Sequence, residues 1–275
     1  MLELEHRFRV VDVHARLDPD DGADETRGRA ITPERLEREM HQAGVVRSVV
    51  YPGPRTEDDY LSANNAVARY SVERPFVAFA RINGARSSED GPTGRLRNLR
   101  SKRKDWHTSP GDIEQYAYDD RFHGFKLNPA DDGLPDEEVL EQLEDVGLPV
   151  LVHGGEAFSP STLAETLLKR SFPVIYAHFG GHPLNRELAN AAIDLLSRHD
   201  NLYLDTSHVR YRDPMERALM EHPDRVLFGS GAPWTHPNVA VMEILTLDVP
   251  EDAMRKVFDK NPSRVVDALA PEGER

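Results

Sequence analysis

The sequence predicts an α/β fold, a single (β/α)8 TIM barrel with eight parallel strands, on three observations. Runs rich in Val, Ile, Leu and Phe recur eight times, near residues 8–14, 46–51, 76–82, 122–127, 149–153, 173–178, 201–205 and 225–229, with amphipathic stretches between them. Several runs are apolar throughout, such as Pro149-Val-Leu-Val-His153 and Pro173-Val-Ile-Tyr-Ala-His178, which is the pattern of strands buried on both faces of a parallel sheet. The 275 residues suit the roughly 250 that one such barrel needs, so residues 1–275 are expected to form one domain.

Each element has its own local signal. The first helix spans Pro33–Ala43, with Thr32 as cap, Pro33 in the first turn and Gly44 at the end. A second covers Asp59–Val72. The segment Arg86–Asp120 is the least regular, with a basic cluster of Arg95, Arg97, Arg100, Lys102, Arg103 and Lys104, read as a solvated face, and a short helix near Ile113–Tyr118. Further helices follow at Asp136–Val146, ended by Gly147, at Ser161–Leu168 after a Ser159-Pro160 start, at Leu184–Ser197 and at Pro214–Glu221. An open doubly wound sheet shares this alternation, but eight strands and no Gly-rich phosphate loop after the first favour the barrel.

Composition excludes several function classes. Of 34 basic residues only six are Lys, against 48 acidic side chains and a net charge of -14, which argues against nucleic-acid binding. An acidic, Lys-poor surface of this halophilic type stays hydrated in concentrated salt, where self-repulsion is screened. There is no Cys, so thiolate chemistry is excluded and any metal ligand must be His or carboxylate. The N-terminal run MLELEHRFRV has no apolar core and no segment reaches the 18 apolar residues of a span, so a cytoplasmic location without membrane partners is expected.

Reactive groups of a parallel barrel sit where strands end and βα loops begin. The polar residues there are His14 and Arg16, which share one face with Asp12 on the first strand, then Lys126, His153, His178 and Asp205. One terminal His is ordinarily a core residue; three at equivalent strand ends point to a site. Lys126 lies between Phe125 and Leu127, and a buried ammonium requires either an acidic partner on an adjacent strand or a substrate anion. Asp205 can orient a His or cap the next loop, and Glu156, Ser230, Trp234 and His236 fall in loops at the same end.

These strand endings resemble the amidohydrolase-related branch of the amidohydrolase superfamily, which includes aminocarboxymuconate-semialdehyde decarboxylase and related metal-dependent hydrolases. The matching pieces are Asp12 to His14, Gly124-Phe-Lys-Leu-Asn-Pro129, His153, His178, Asn201-Leu-Tyr-Leu-Asp205, Arg225-Val-Leu-Phe-Gly-Ser230 and Asn261-Pro-Ser-Arg264. The resemblance implies a metal held by a His-x-His pair on strand one, a His on strand five and an Asp on strand eight, with a catalytic His on strand six. Here Arg16 stands at the second His and Gly231 at the Asp, so two ligand positions are substituted.

The expectation is an enzyme acting on a small carboxylated or carbonyl substrate by hydrolysis or decarboxylation. His178 is its acid/base, Asp205 a supporting catalytic carboxylate, Arg16 and Lys126 grip the substrate, and Trp234 shapes its pocket. His14 and His153 are the tentative ligands of one divalent metal, zinc first, with weak or absent binding favoured because a guanidinium about 4 Å from such an ion opposes it by roughly 4 kcal/mol per unit charge. The branch also includes metal-free lactonases, so water attack aided by a His is a second route. The alternative is a catalytically silent barrel that binds a small anion or serves as a scaffold subunit. A homo-oligomer is compatible with either.

Overall fold

The computed structural model describes residues 6–17, 31–54, 60–88, 98 and 101–271. Arg95, Arg97 and Arg100 of the basic cluster, and the first residue of the helix expected at Asp59, lie outside them.

Eight strands, β1 (Val10–Arg16), β2 (Val45–Tyr51), β3 (Phe76–Arg81), β4 (Phe122–Leu127), β5 (Val150–Val152), β6 (Val174–Tyr176), β7 (Leu202–Asp205) and β8 (Val226–Leu227), follow one another in sequence order in one sheet. Each pairs in parallel with the next. The barrel closes between its first and last strands, where Val13 N donates to Phe228 O at 2.9 Å, Arg16 N to Ala232 O at 2.8 Å and Gly231 N to His14 O at 2.9 Å. The chain is therefore a (β/α)8 TIM barrel, as the sequence predicts.

Alternation sorts the side chains. Val11, Val13, Val49, Tyr51, Val77, Phe79, Leu151, Ile175 and Leu227 point inward, and Val266, Ala268 and Leu269 pack into the same cluster. Their neighbours Val10, Val50, Ala78, Phe125, Val150, Val152, Val174 and Tyr176 face the helices. Both faces are buried, which is why the runs read as continuously apolar.

Helices lie between the strands where the amphipathic pattern puts them. The first spans Pro33–Ala43, with Thr32 Oγ1 accepting from Arg35 N and Gly44 in the left-handed region at φ 67°. A cap of this kind is worth about 1 kcal/mol. Helices at Tyr60–Ser71, Pro110–Tyr118, Glu137–Val146, Pro160–Glu165, Arg186–Leu195 and Arg212–Glu221 follow the expected stretches within a few residues. Beyond them, Pro237–Leu245, Glu251–Arg255 and Asn261–Val265 complete the outer layer. No helix among the described residues is long and apolar enough to cross a membrane.

Candidate active site at the strand ends

A cavity of about 580 Å³ opens at the C-terminal ends of the strands. Its wall includes His14, Arg16, Lys126, His153, His178 and Trp234, whereas Asp205, Glu156, Ser230 and His236 are not part of it.

The floor is fixed by two buried carboxylates. Asp12 Oδ1 accepts from His14 N and Ser230 N, both at 2.9 Å, and Oδ2 from Ser230 Oγ at 2.6 Å, so it ties the end of β1 to the end of β8. Burial pushes its carboxyl up to about 7, against those hydrogen bonds. Asp205 Oδ2 accepts from His14 Nδ1 at 2.7 Å, and Oδ1 accepts from Ser207 N at 2.8 Å, from His178 N at 3.2 Å and from Ser207 Oγ. Burial opposes its charge, but the His14 contact and the Ser207 hydrogen bonds outweigh it and hold the carboxyl below its ordinary value. Asp205 is thus ionised and sits behind the cavity wall, orienting His14 and the backbone of His178. Burial keeps His14 neutral, and its Nδ1–H points at the carboxylate.

His178 has φ 60° and ψ 27°, a left-handed conformation that costs a non-glycine residue about 1 kcal/mol or more. Its ring lines the cavity. Its Nδ1–H donates to Ser207 O at 3.0 Å, which leaves Nε2 as an acceptor 3.2 Å from His153 Nδ1. Burial first, then neighbouring imidazoles for His178 and Lys126 for His153, drives both well below the usual histidine value. Both are neutral bases at neutral pH.

Two further imidazoles line the cavity that the strand-end reading missed. His182 follows β6 and lies 4.9 Å from His153 and 5.1 Å from His178 between ring centroids. His208 follows β7, with φ 56°, and lies 5.0 Å from His178 with Nδ1 3.1 Å from Thr235 Oγ1. Burial lowers His208 to about 4. The available signal was position, since both stand only a few residues past a strand end, in the same βα loops.

The cations follow a different logic. Arg16 is buried, with its guanidinium 5.1 Å over the half-exposed Trp234 ring. It packs so tightly on Gly53 that a Cβ there would lie 2.6 Å from Arg16 Nε. Lys126 is 2% exposed and its Nζ has no hydrogen-bond partner among the described residues. Its in-register neighbour on β3 is another cation, Arg81. That guanidinium has its own acid, with Nη2 2.9 Å from Asp132 Oδ1. Lys126 Nζ instead stands 5.1 Å from the Tyr51 ring centre. Burial first, and Arg81 second, lowers its ammonium to about 7. Of the two alternatives, the acidic partner on an adjacent strand is absent among the described residues.

The loop residues divide. Trp234 lines the cavity. Ser230 lies beneath it, bound to Asp12. His236 caps Pro237–Leu245 by accepting from Asn238 N, and Glu156 accepts from Asn185 Nδ2 at 3.3 Å outside the wall.

Among the described residues, His14, His178 and Asp205 could hold a metal ion, one ligand atom from each lying within 4.8 Å of the others. Neutral buried imidazoles beside a carboxylate are donors a divalent cation accepts, so the set fits by chemistry. It differs from the expected pair, because it includes His14 but replaces His153 with His178 and Asp205. Gly231, where the resemblance implies a ligand Asp, has φ 71°, and a Cβ on it would lie 2.6 Å from His208 Nε2. The His208 ring fills the space a side chain at position 231 would need.

The Amidohydrolase family model matches residues 11–268. Among solved structures, the chain is similar to an uncharacterized TIM-barrel protein from Bordetella bronchiseptica, with 19% identity, a TM-score of 0.67 and 95% and 99% of the two chains covered. It is also similar to 2,6-dihydroxybenzoate decarboxylase from Rhizobium, at 15% identity, TM-score 0.68 and 94% and 98% coverage. A third is the dihydroxybenzoic acid decarboxylase of Polaromonas, solved with bound manganese, at 15% identity, TM-score 0.67 and 97% and 99% coverage. No curated protein sequence matches significantly.

Proposed function

The chain belongs to the amidohydrolase family, and from that membership and its cavity we propose that it acts on a small carboxylated or carbonyl substrate by hydrolysis or decarboxylation. The observation that carries this reading is Lys126 Nζ, buried at the cavity without a hydrogen-bond partner among the described residues and beside Arg81 rather than an acid. A buried cation without a counter-ion is stabilised by an anionic guest. Asp131, the carboxylate on the described wall, lies 3.8 Å from Arg81.

In this reading Arg16, held between Gly53 and Trp234, receives the substrate carboxylate in one orientation, and protonated Lys126 adds a second contact. Trp234 presents a flat apolar wall to the rest of the molecule. His178 is the acid/base: Ser207 O fixes its tautomer, and Nε2 is left to accept a proton from water or return one to a leaving group. His14 and His153 polarise the substrate, and Asp205 keeps His14 oriented. In place of the acid/base role of His178, its ring would hold a divalent ion together with His14 and Asp205, for which this imidazole-rich set favours zinc, and the ion would supply Lewis-acid polarisation of a substrate oxygen.

One observation favours the silent anion-binding barrel. The position at which the resemblance implies a ligand Asp is Gly231, and the His208 ring fills the space a side chain there would need. Thermal shifts with malonate, succinate and benzoate, alongside metal analysis and shifts with Zn2+ and Mn2+, test the reading. Stabilisation by carboxylates is expected. A tight stoichiometric metal with no carboxylate response contradicts the anion pocket, and carboxylate binding without turnover of any tested ester, lactone or oxo acid favours the silent barrel.

A further inference from the structure

We propose that Lys126 is a nucleophilic amine that captures the carbonyl carbon of a small oxo acid as an imine, while Arg16 holds the acid's carboxylate in the same cavity. The inference rests on the reading of that cavity as a carboxylate site.

Six lysines occur in the chain. Lys102, Lys104, Lys169 and Lys260 are exposed, and Lys256 is partly exposed and paired with Asp224 at 3.2 Å. Lys126 alone is buried, and it lines a cavity large enough for a small acid. Among the described residues its nitrogen has no partner to occupy its lone pair, only the face of Tyr51 and the Arg81 guanidinium nearby. Among the charges around it, Arg81 disfavours the ammonium, while Asp205, Asp132 and Asp131 favour it less strongly than burial opposes it. With its ammonium lowered to about 7, roughly half of Lys126 is free amine at neutral pH, against about one in a few thousand for an ordinary lysine. The ammonium that grips an anion and the amine that attacks a carbonyl are thus both present near pH 7.

The step balances without an outside oxidant. The Nζ lone pair forms the C–N bond as the carbonyl π pair moves to oxygen. Two protons then pass from nitrogen to that oxygen, the C–O bond breaks, and water leaves. Solvent then protonates the imine nitrogen, so that the free amine, the carbonyl compound and one proton have become a protonated imine plus water. His14 and His153 line the same cavity, and a neutral imidazole there can carry the proton from nitrogen to oxygen. From a 3-oxo acid, the iminium accepts the electron pair of the C–CO2 bond as carbon dioxide departs. Solvent protonates the enamine carbon, and hydrolysis returns the ketone and the lysine.

The test incubates the full-length protein with pyruvate or acetoacetate and sodium cyanoborohydride near pH 7, where hydride adds to the iminium carbon and fixes the adduct for peptide mass spectrometry. One reduced adduct per chain is expected on Lys126, forming about tenfold or more faster than on the exposed lysines. Malonate should slow it in the wild-type protein, and Lys126→Arg and Lys126→Gln, with folding checked by circular dichroism, should abolish it. Labelling that is absent or confined to exposed lysines overturns the imine. If malonate still stabilises that same protein, the carboxylate reading stands alone; if it does not, both fall.

Discussion

Replacing Lys126 with Met separates the energetic burden of a buried cation from its use. The unfolded chain keeps the Lys126 proton up to the ordinary value of 10.5, whereas the folded chain releases it at about 7. Between those values the unfolded state binds the extra proton, so stability climbs as pH rises from about 7 towards 10.5 and rests on its lower plateau below 7. Lys126→Met should remove that slope and raise stability at neutral pH by on the order of 2 kcal/mol while weakening carboxylate binding. Urea unfolding at about pH 7 and pH 10 reads both effects, and a variant that keeps the wild-type slope would place the desolvation elsewhere. At this scale the sequence shows that Lys126 lies between apolar neighbours and needs a partner. It does not show which residue stands beside it, because the β3 register that brings Arg81 there depends on the whole sheet.

At the scale of elements, the ends of β1, β7 and β8 form one unit through Asp12, Asp205 and the backbone bonds of His14 with Gly231. Gly231 is the joint of this unit. Its φ of 71° disfavours any side chain, and a Cβ would also meet His208 Nε2 at 2.6 Å. Gly231→Ala should therefore lower stability by about 1–3 kcal/mol, and His208→Ala in the same chain should recover only the part due to the contact, leaving the backbone strain. Thermal melts of the two single variants and the double read this directly; full recovery would assign the whole penalty to His208. The same geometry means that Asp at position 231 must displace His208 before it can act as a ligand. The strands were legible because burial on both faces writes a continuous apolar run, as at Val150–Val152 and Val174–Tyr176. His14, Arg16, Lys126, His153 and His178 were legible because each breaks such a run near its end. His182 and His208 were not, since loop residues carry no periodicity and their place follows from left-handed turns and from the space at Gly231.

Across the whole molecule the charges form a second pattern. Arginine forks repeatedly hold two acids each: Arg74 lies 2.5 Å from Glu34 and 2.6 Å from Glu37, Arg103 3.0 Å from Asp136 and 2.9 Å from Glu138, and Arg217 2.6 Å from Asp194 and 3.1 Å from Glu221. These pairs are partly exposed and each is worth at most about 1 kcal/mol. They leave a net charge of -14, whose mutual repulsion salt screens along with the pairs. Because acids outnumber bases by 48 to 34, repulsion should dominate, and raising KCl from about 0.05 to about 2 M should raise the melting temperature. An unchanged or falling melting temperature would show that the acidic surface carries no adaptation to salt. In the proposed reading, Arg16 and Lys126 at the mouth of the barrel receive a small anion against this acidic exterior.

Calorimetric titration of malonate into the wild-type protein and into Arg16→Gln tests that account most directly. The account predicts saturable binding at one site per chain, weakened about tenfold or more by the substitution, as expected for the loss of a charge-assisted contact. Equal binding by both proteins, or none by either, would contradict it.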